Sequence, residues 1–85
     1  MSTITIHTRH FGQAQLVRVA GSIDFASVAS LRDLLSSSLR QQGRYVVLDL
    51  SRVTLLDAFA GGVLRRLATD TSDATGTRLQ VIGAT

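Results

Sequence analysis

Apolar and polar residues change rhythm several times along this 85-residue chain, and each rhythm predicts an element. "TITIHT" (3–8) alternates strictly, with Ile4 and Ile6 on one face and Thr3, Thr5 and His7 on the other, the period of a half-buried strand. Gly12 marks a turn and "QLVRVA" (15–20) resumes the alternation, so a hairpin is expected, with Gly21 ending its second strand. Asp24 suits a helix N-cap, because its carboxylate can accept an orphan amide proton of the first turn. From Phe25 to about Gln41, Val28, Leu31, Leu35 and Leu39 recur at three- and four-residue steps with Leu34 widening the stripe, which predicts an amphipathic helix stopped at Gly43. "YVVLDL" (45–50) is the most hydrophobic strand candidate and is expected to be central. "SRVTLL" (51–56) reads as a loop, Asp57 as a second N-cap, and Ala58 to about Thr69 as a second helix. "DTSDATGT" (70–77) reads as a turn-rich connection and "RLQVI" (78–82) as a last strand.

The resulting order, β-β-α-β-α-β, contains two β-α-β units, which call for parallel strands and right-handed crossovers. Arg18, Asp49 and the pair Arg78 and Gln80 each mark a polar strand face. The opposite faces are apolar: Val17 and Val19, Val46, Leu48 and Leu50, then Leu79 and Val81. A small mixed α/β sheet with its helices mainly on one face is therefore expected, as one domain over residues 1–85. Each helix should begin at the C-terminal edge of the strand before it, where ligands of such sheets gather. Asp24 and Asp57 then share one rim.

Composition narrows the chemistry. Without cysteine there is no disulfide or thiolate metal site, and no apolar run reaches the ~20 residues of a membrane span. The N-terminal alternation is unlike a signal peptide, so a cytoplasmic protein is expected. All 9 basic residues are arginine and all 6 acids aspartate, a bias that codon usage explains, and the net charge of +3 mildly favours anionic partners. His7 and His10 read as solvated edge residues. There is no phosphate-cradling glycine motif, and Asp24 and Asp57 are better explained as caps than as an acid/base pair. Asp49 and Asp57 lack a third ligand for a magnesium ion. Arg9, Arg18, Arg65 and Arg66 give a nucleic-acid reading its charge, but aromatic platforms are scarce and Arg65 and Arg66 fit the solvated face of a helix. "SSS" (36–38) reads as an exposed small-polar face. Neither a catalytic constellation, a cofactor nor a metal is implied.

Two stretches carry a family resemblance. "VRVAGSIDFASVASLRDLL" and "YVVLDLSRVTLLDAFAGGVLRRL" are similar to a STAS domain, the fold of bacterial anti-sigma-factor antagonists and of the cytoplasmic ends of sulfate transporters. The resemblance runs from about Leu16 to Ile82 and is most specific at the Gly21–Asp24 corner and in "VVLDLSRVTLLD". In such antagonists a serine or threonine just after the aspartate at the second helix start is phosphorylated by a kinase that is also the anti-sigma factor. The unmodified form binds that partner, and phosphorylation breaks the complex. The common family run Asp-Ser-Ser-Gly-Leu-Gly is replaced here by Asp57, Ala58, Phe59, Ala60, Gly61 and Gly62, so the acceptor hydroxyl is missing. The Asp-x-Phe-small-small run resembles the subgroup that scaffolds stressosomes, whose phosphorylated serine matches Ala58. Ala58 is then either natural or an engineered serine replacement. Thr54 and Ser22 are the nearest hydroxyl-bearing alternatives. The chain also ends before the C-terminal helix that family members usually carry, which should leave apolar surface for self-association or for other STAS proteins.

The resemblance implies an interaction module and not an enzyme, docking an anti-sigma factor of the serine/threonine-kinase type to control a sigma factor in a stress response. Its partner-binding surface is expected at Asp24, Asp57, Ala58, Phe59, Ala60, Gly61 and Gly62, where Phe59 either plugs the core or anchors the partner, the core being favoured because it shares a face with Val63 and Leu67. Two alternatives stand beside it: a regulatory domain binding a nucleotide or other anion at the same rim, and a small arginine-rich RNA-binding module.

Overall fold

The computed structural model describes residues 4–40, 45–74 and 78–83. Its opening hairpin forms as the alternation predicts and is longer than predicted. Strand β1 (Ile4–Phe11) pairs antiparallel with β2 (Ala14–Ile23), from Ile4 opposite Gly21 to Phe11 opposite Ala14. Gly12 makes the turn at a φ of 58°, a left-handed conformation that costs glycine little. Gly21 does not end β2. It stays in the strand at a φ of 103°, beside a shift in the pairing with the next strand, and β2 continues to Ile23. Glycine bends the strand there without breaking its ladder.

Helix α1 (Phe25–Leu39) buries Val28, Leu31, Leu35 and Leu39 and half-buries Leu34, as the stripe predicts. It closes at Arg40, whose amide donates to the carbonyl of Ser36, while Gly43 lies outside the described residues. The serine run is not one exposed face: Ser37 is exposed, Ser36 half-buried and Ser38 buried. Consecutive helical positions are turned about 100° from one another, so three in a row cannot share one environment.

Strand β3 (Tyr45–Leu56) is twice as long as the hydrophobic run suggests, because residues 51–56 continue it instead of forming a loop. They pair with the end of β2, Ala20 opposite Arg52 through Ile23 opposite Leu56. Between Arg18 opposite Asp49 and Ala20 opposite Arg52, β3 uses one residue more than β2. That bulge breaks the period-2 pattern and disguises the strand as a loop. Helix α2 (Ala58–Ala74) likewise runs on through the first part of the expected turn region, whose remainder, 75–77, lies outside the described residues. Aspartate, threonine and serine are weak helix formers but not breakers. Strand β4 (Arg78–Ile82) closes the sheet as predicted.

The sheet order is β1-β2-β3-β4, with β2, β3 and β4 mutually parallel neighbours and β3 internal. Both crossovers step in the same direction, so right-handedness sends both helices to the same side. The core lies between them and the sheet: Val17, Val19 and Ile23 of β2, Val46 and Leu48 of β3, Leu31 and Leu35 of α1, and Ala60 and Leu64 of α2. The other side of the sheet stays open, with Arg18 and Asp49 paired on it across β2 and β3. Leu79 is buried as expected, but Val81 is 37% exposed because β4 is an edge strand whose last residues outrun the helical cover. Among the described residues no helix is long and apolar enough to cross a membrane.

Candidate functional site

Chain order places the starts of α1 and α2 at one edge of the sheet, and hydrogen bonds tie them together. Asp24 caps α1 in extended conformation, its Oδ1 accepting from the amides of Ala26 at 3.0 Å and Ser27 at 2.9 Å. Ser27 returns the favour as the third helical residue: its Oγ accepts from the amide of Asp24 at 2.9 Å, completing a capping box. The carboxyl of Asp24 is held below the usual carboxylate range, first by the Ser27 amide and then by the Ser27 hydroxyl, because both bonds favour the ionised form.

Asp57 does more than cap its own helix. Its Oδ1 accepts from the amide of Ala60 at 2.7 Å, its carbonyl from the amide of Gly61 at 2.9 Å, and its Oδ2 from the amide of Phe25 at 3.1 Å. The amide of Asp57 in turn donates to the carbonyl of Ile23 at 3.1 Å. One carboxylate thus spans the positive ends of both helices, where negative charge is favoured. The expectation that Asp24 and Asp57 share a rim holds, and the two are linked through the Asp24–Phe25 backbone.

The side chains around this clamp divide into inward and outward. Ala60 is fully buried in the core, so it shapes the rim from beneath and offers no surface. Phe59, expected in the core, is instead 55% exposed. Ala60 and Leu64 are the buried positions of α2, with Val63, Leu67 and Ala68 packed partly buried beside them, and Phe59 lies one position from Ala60 in the first turn. Its ring meets that of Phe25, itself 71% exposed, at a centroid distance of 5.2 Å and an interplanar angle of 54°. Ala58 is exposed, and a Cβ added to Gly62 would meet open space. Gly61 lies under Leu56, whose Cδ2 would be 3.7 Å from such a Cβ. Leu55 and Leu56 close β3 beside the clamp and are themselves exposed. Phe25, Leu55 and Leu56 are rim residues that the sequence reading did not single out. The available signal was the repeated Asp-Phe placement, Asp24–Phe25 and Asp57-x-Phe59, together with two leucines directly before a cap.

The remaining candidates lie elsewhere. His7 and His10 are exposed on β1, and Arg65 and Arg66 are exposed on α2. Asp49 is not brought together with Asp57: its Oδ2 accepts from Nε of Arg18 at 3.1 Å and its Oδ1 from the amide of Ser51 at 2.9 Å. The Ser51 amide, then the Ser51 hydroxyl and Arg18, hold its carboxyl below the usual range. No group of three or more potential ligands for a metal ion occurs among the described residues. Thr54 is exposed on β3, and Ser22 lies half-buried near the end of β2.

Comparison with known proteins decides the family. The STAS domain matches over residues 5–84. The chain belongs to the STAS family. Among solved structures it is similar to an anti-sigma-factor antagonist STAS domain from Rhodobacter sphaeroides, with 19% identity and a TM-score of 0.76, covering 96% of this chain and 88% of that one. The anti-sigma-factor antagonist SpoIIAA in its unphosphorylated form is similar too, with 14% identity and a TM-score of 0.76, over 95% of this chain and 74% of that one. A chain named Mglu matches at 26% identity and a TM-score of 0.77 over 89% of this chain, which spans only 19% of Mglu. A search of curated proteins found no match. The STAS fold thus occurs both nearly alone and as a small part of a much longer chain. This STAS domain has the mixed sheet, with both helices on one side, of the SpoIIAA-like fold.

Proposed function

We propose that this STAS domain is an interaction module, in the manner of an anti-sigma-factor antagonist or stress-signalling scaffold, and that it docks an anti-sigma factor of the serine/threonine-kinase type through the Asp24–Asp57 rim. The observation that carries the reading is the single Asp57 carboxylate holding both helix starts, which presents Phe25, Phe59, Ala58 and Gly62 as one apolar, small-residue surface. Two exposed phenyl rings in contact are unusual on a small soluble surface and suit a partner's apolar pocket. Gly62 and Ala58 let a partner backbone come close. The family's switch position falls at Ala58, on the first turn of α2. A phosphoryl group there would add about −1.5 to −2 charges directly beside Asp57. Alanine keeps the surface permanently in the uncharged, docking form.

A small anion at the rim has less support. The amides of Phe25, Ala26, Ser27, Ala60 and Gly61 already meet oxygens of Asp24 and Asp57, and those carboxylates repel a second anion.

The test is capture of a kinase of the ATPase type from the source cell, followed by affinity measurement against rim variants. Ala58→Glu and Gly62→Arg are each expected to weaken docking at least about tenfold, or 1.4 kcal/mol, with unchanged circular dichroism. Unaltered affinity in both variants rejects the surface. Ala58→Ser restores the hydroxyl, so that kinase and ATP should phosphorylate it and release the partner, whereas the wild-type segment 57–62 stays unmodified.

A further inference from the structure

The open side of the sheet holds a concavity of about 520 Å³, on the side away from both helices. Three adjacent strands each contribute an arginine to its wall: Arg9 from β1, whose guanidinium carbon lies 5.9 Å from the Phe11 ring centroid, Arg18 from β2 and Arg52 from β3, with His7 directly across from Arg18. Like charges on neighbouring strands repel, so gathering them is destabilising unless something offsets it. Asp49 offsets only part. It is nearly buried and takes Arg18 through Nε, while the Arg18 side chain remains 45% exposed. Fixing an arginine through Nε orients its terminal amino groups, which are the donors a tetrahedral oxyanion needs.

Arg52 is there because of the bulge. In an unbroken strand Arg52 would share the inward face with Leu48 and Leu50, and Val53 would share the outward face with Asp49. The extra β3 residue between the Arg18–Asp49 and Ala20–Arg52 pairs reverses this, turning Arg52 out into the concavity and Val53 in against the core. Bulges of this kind re-aim a side chain. Leu16 and Ala20 supply apolar lining to the same concavity.

We propose that this face binds a small phosphate ester: Arg9, Arg18 and Arg52 hold the phosphate, and Leu16 and Ala20 support its carbon portion. The volume lies in the range of small-molecule sites, roughly 300–1,000 Å³, and planar guanidinium forks match phosphate oxygens two at a time. Because the site is on the side of the sheet opposite the helices, it is independent of docking at the rim.

Phenyl phosphate and inorganic phosphate serve as probes, titrated into the whole chain by calorimetry with amide shifts followed by NMR. Phenyl phosphate is expected to bind saturably and more tightly than inorganic phosphate, shifting amides of β1, β2 and β3 and sparing those of residues 25–27 and 58–61. Arg9→Gln and Arg52→Gln should each weaken it at least about tenfold (1.4 kcal/mol), with thermal midpoints no lower than that of the wild type and kinase docking unchanged. Four outcomes overturn the proposal: no saturable binding, affinity retained in both variants, shifts confined to the helix starts, or phenyl phosphate binding no tighter than inorganic phosphate. Sedimentation with phosphatidylglycerol vesicles in the absence of phenyl phosphate binding would assign the face to a membrane surface instead. An RNA oligonucleotide bound in preference to phenyl phosphate, with a steep salt dependence, would assign it to nucleic acid.

Discussion

Asp57 and Asp24 look interchangeable in the sequence, as aspartates before apolar helices, but they are bonded differently. Asp24 serves only α1, through two amides and the hydroxyl of Ser27. Asp57 divides its two oxygens between α2 and α1. Removing an N-cap side chain costs roughly 0.5–2 kcal/mol, and Asp57→Ala strands two amides at once, so a loss near 2 kcal/mol is expected. For a domain this small that is a fall of about 8–16 °C in thermal midpoint, readable by calorimetry. Asp57→Ser separates the two bonds, since a single Oγ can cap Ala60 but not also reach Phe25. Its stability should fall between wild type and Asp57→Ala. A value equal to wild type would mean that the Phe25 bond contributes nothing.

At the scale of elements, the stripe of α1 and the alternation of the hairpin were legible because each follows one period from end to end. Leu31→Ala should accordingly cost about 2–5 kcal/mol in denaturant unfolding, as for other fully buried leucines, and Leu34→Ala clearly less, since Leu34 is only half-buried. What escaped the sequence did so for local physical reasons. Residues 51–56 lost their strand signature to a bulge, and Gly21 resembled a strand end although its φ of 103° merely bends β2. Phe59 shares a helical spacing with Val63 and Leu67, but periodicity fixes only relative directions around a helix. It does not reveal that Phe59, in the same turn as the buried Ala60, turns outward and packs against Phe25 instead of the core. The caps were legible because capping is local. The carboxylate bridge between residues 25 and 57 was not, because it joins positions 32 apart. Gly21→Ala puts a side chain into a conformation L-residues rarely adopt, and a loss of about 1–3 kcal/mol is expected. That loss should come with amide-shift changes at the β2–β3 bulge.

For the molecule as a whole, acid is the informative variable. Asp24 and Asp49 both have carboxyls held below their ordinary value of 3.8. A lowered folded-state value means that the contribution of each to stability is complete above the unfolded value and fades as pH falls through the folded one. Stability should therefore be flat from pH 7 down to about 5 and decline below about 4. Asp24→Asn keeps a good capping residue but cannot titrate, so it should make the acid decline shallower while changing the neutral midpoint little. An unchanged acid slope would show that Asp24 is not one of the groups that take up protons on unfolding.

The bridge at Asp57 has a thermodynamic consequence for association. Two helix starts that moved independently would have to be immobilised by any protein settling across them, and lost freedom of that kind subtracts directly from affinity. Here one carboxylate ties Phe25 and Ala60 together before encounter, so less of that freedom remains to be lost on docking. Loosening it should appear in calorimetry as a more unfavourable binding entropy at nearly constant enthalpy, in a variant such as Asp57→Ser that leaves every outward-facing ring and glycine in place.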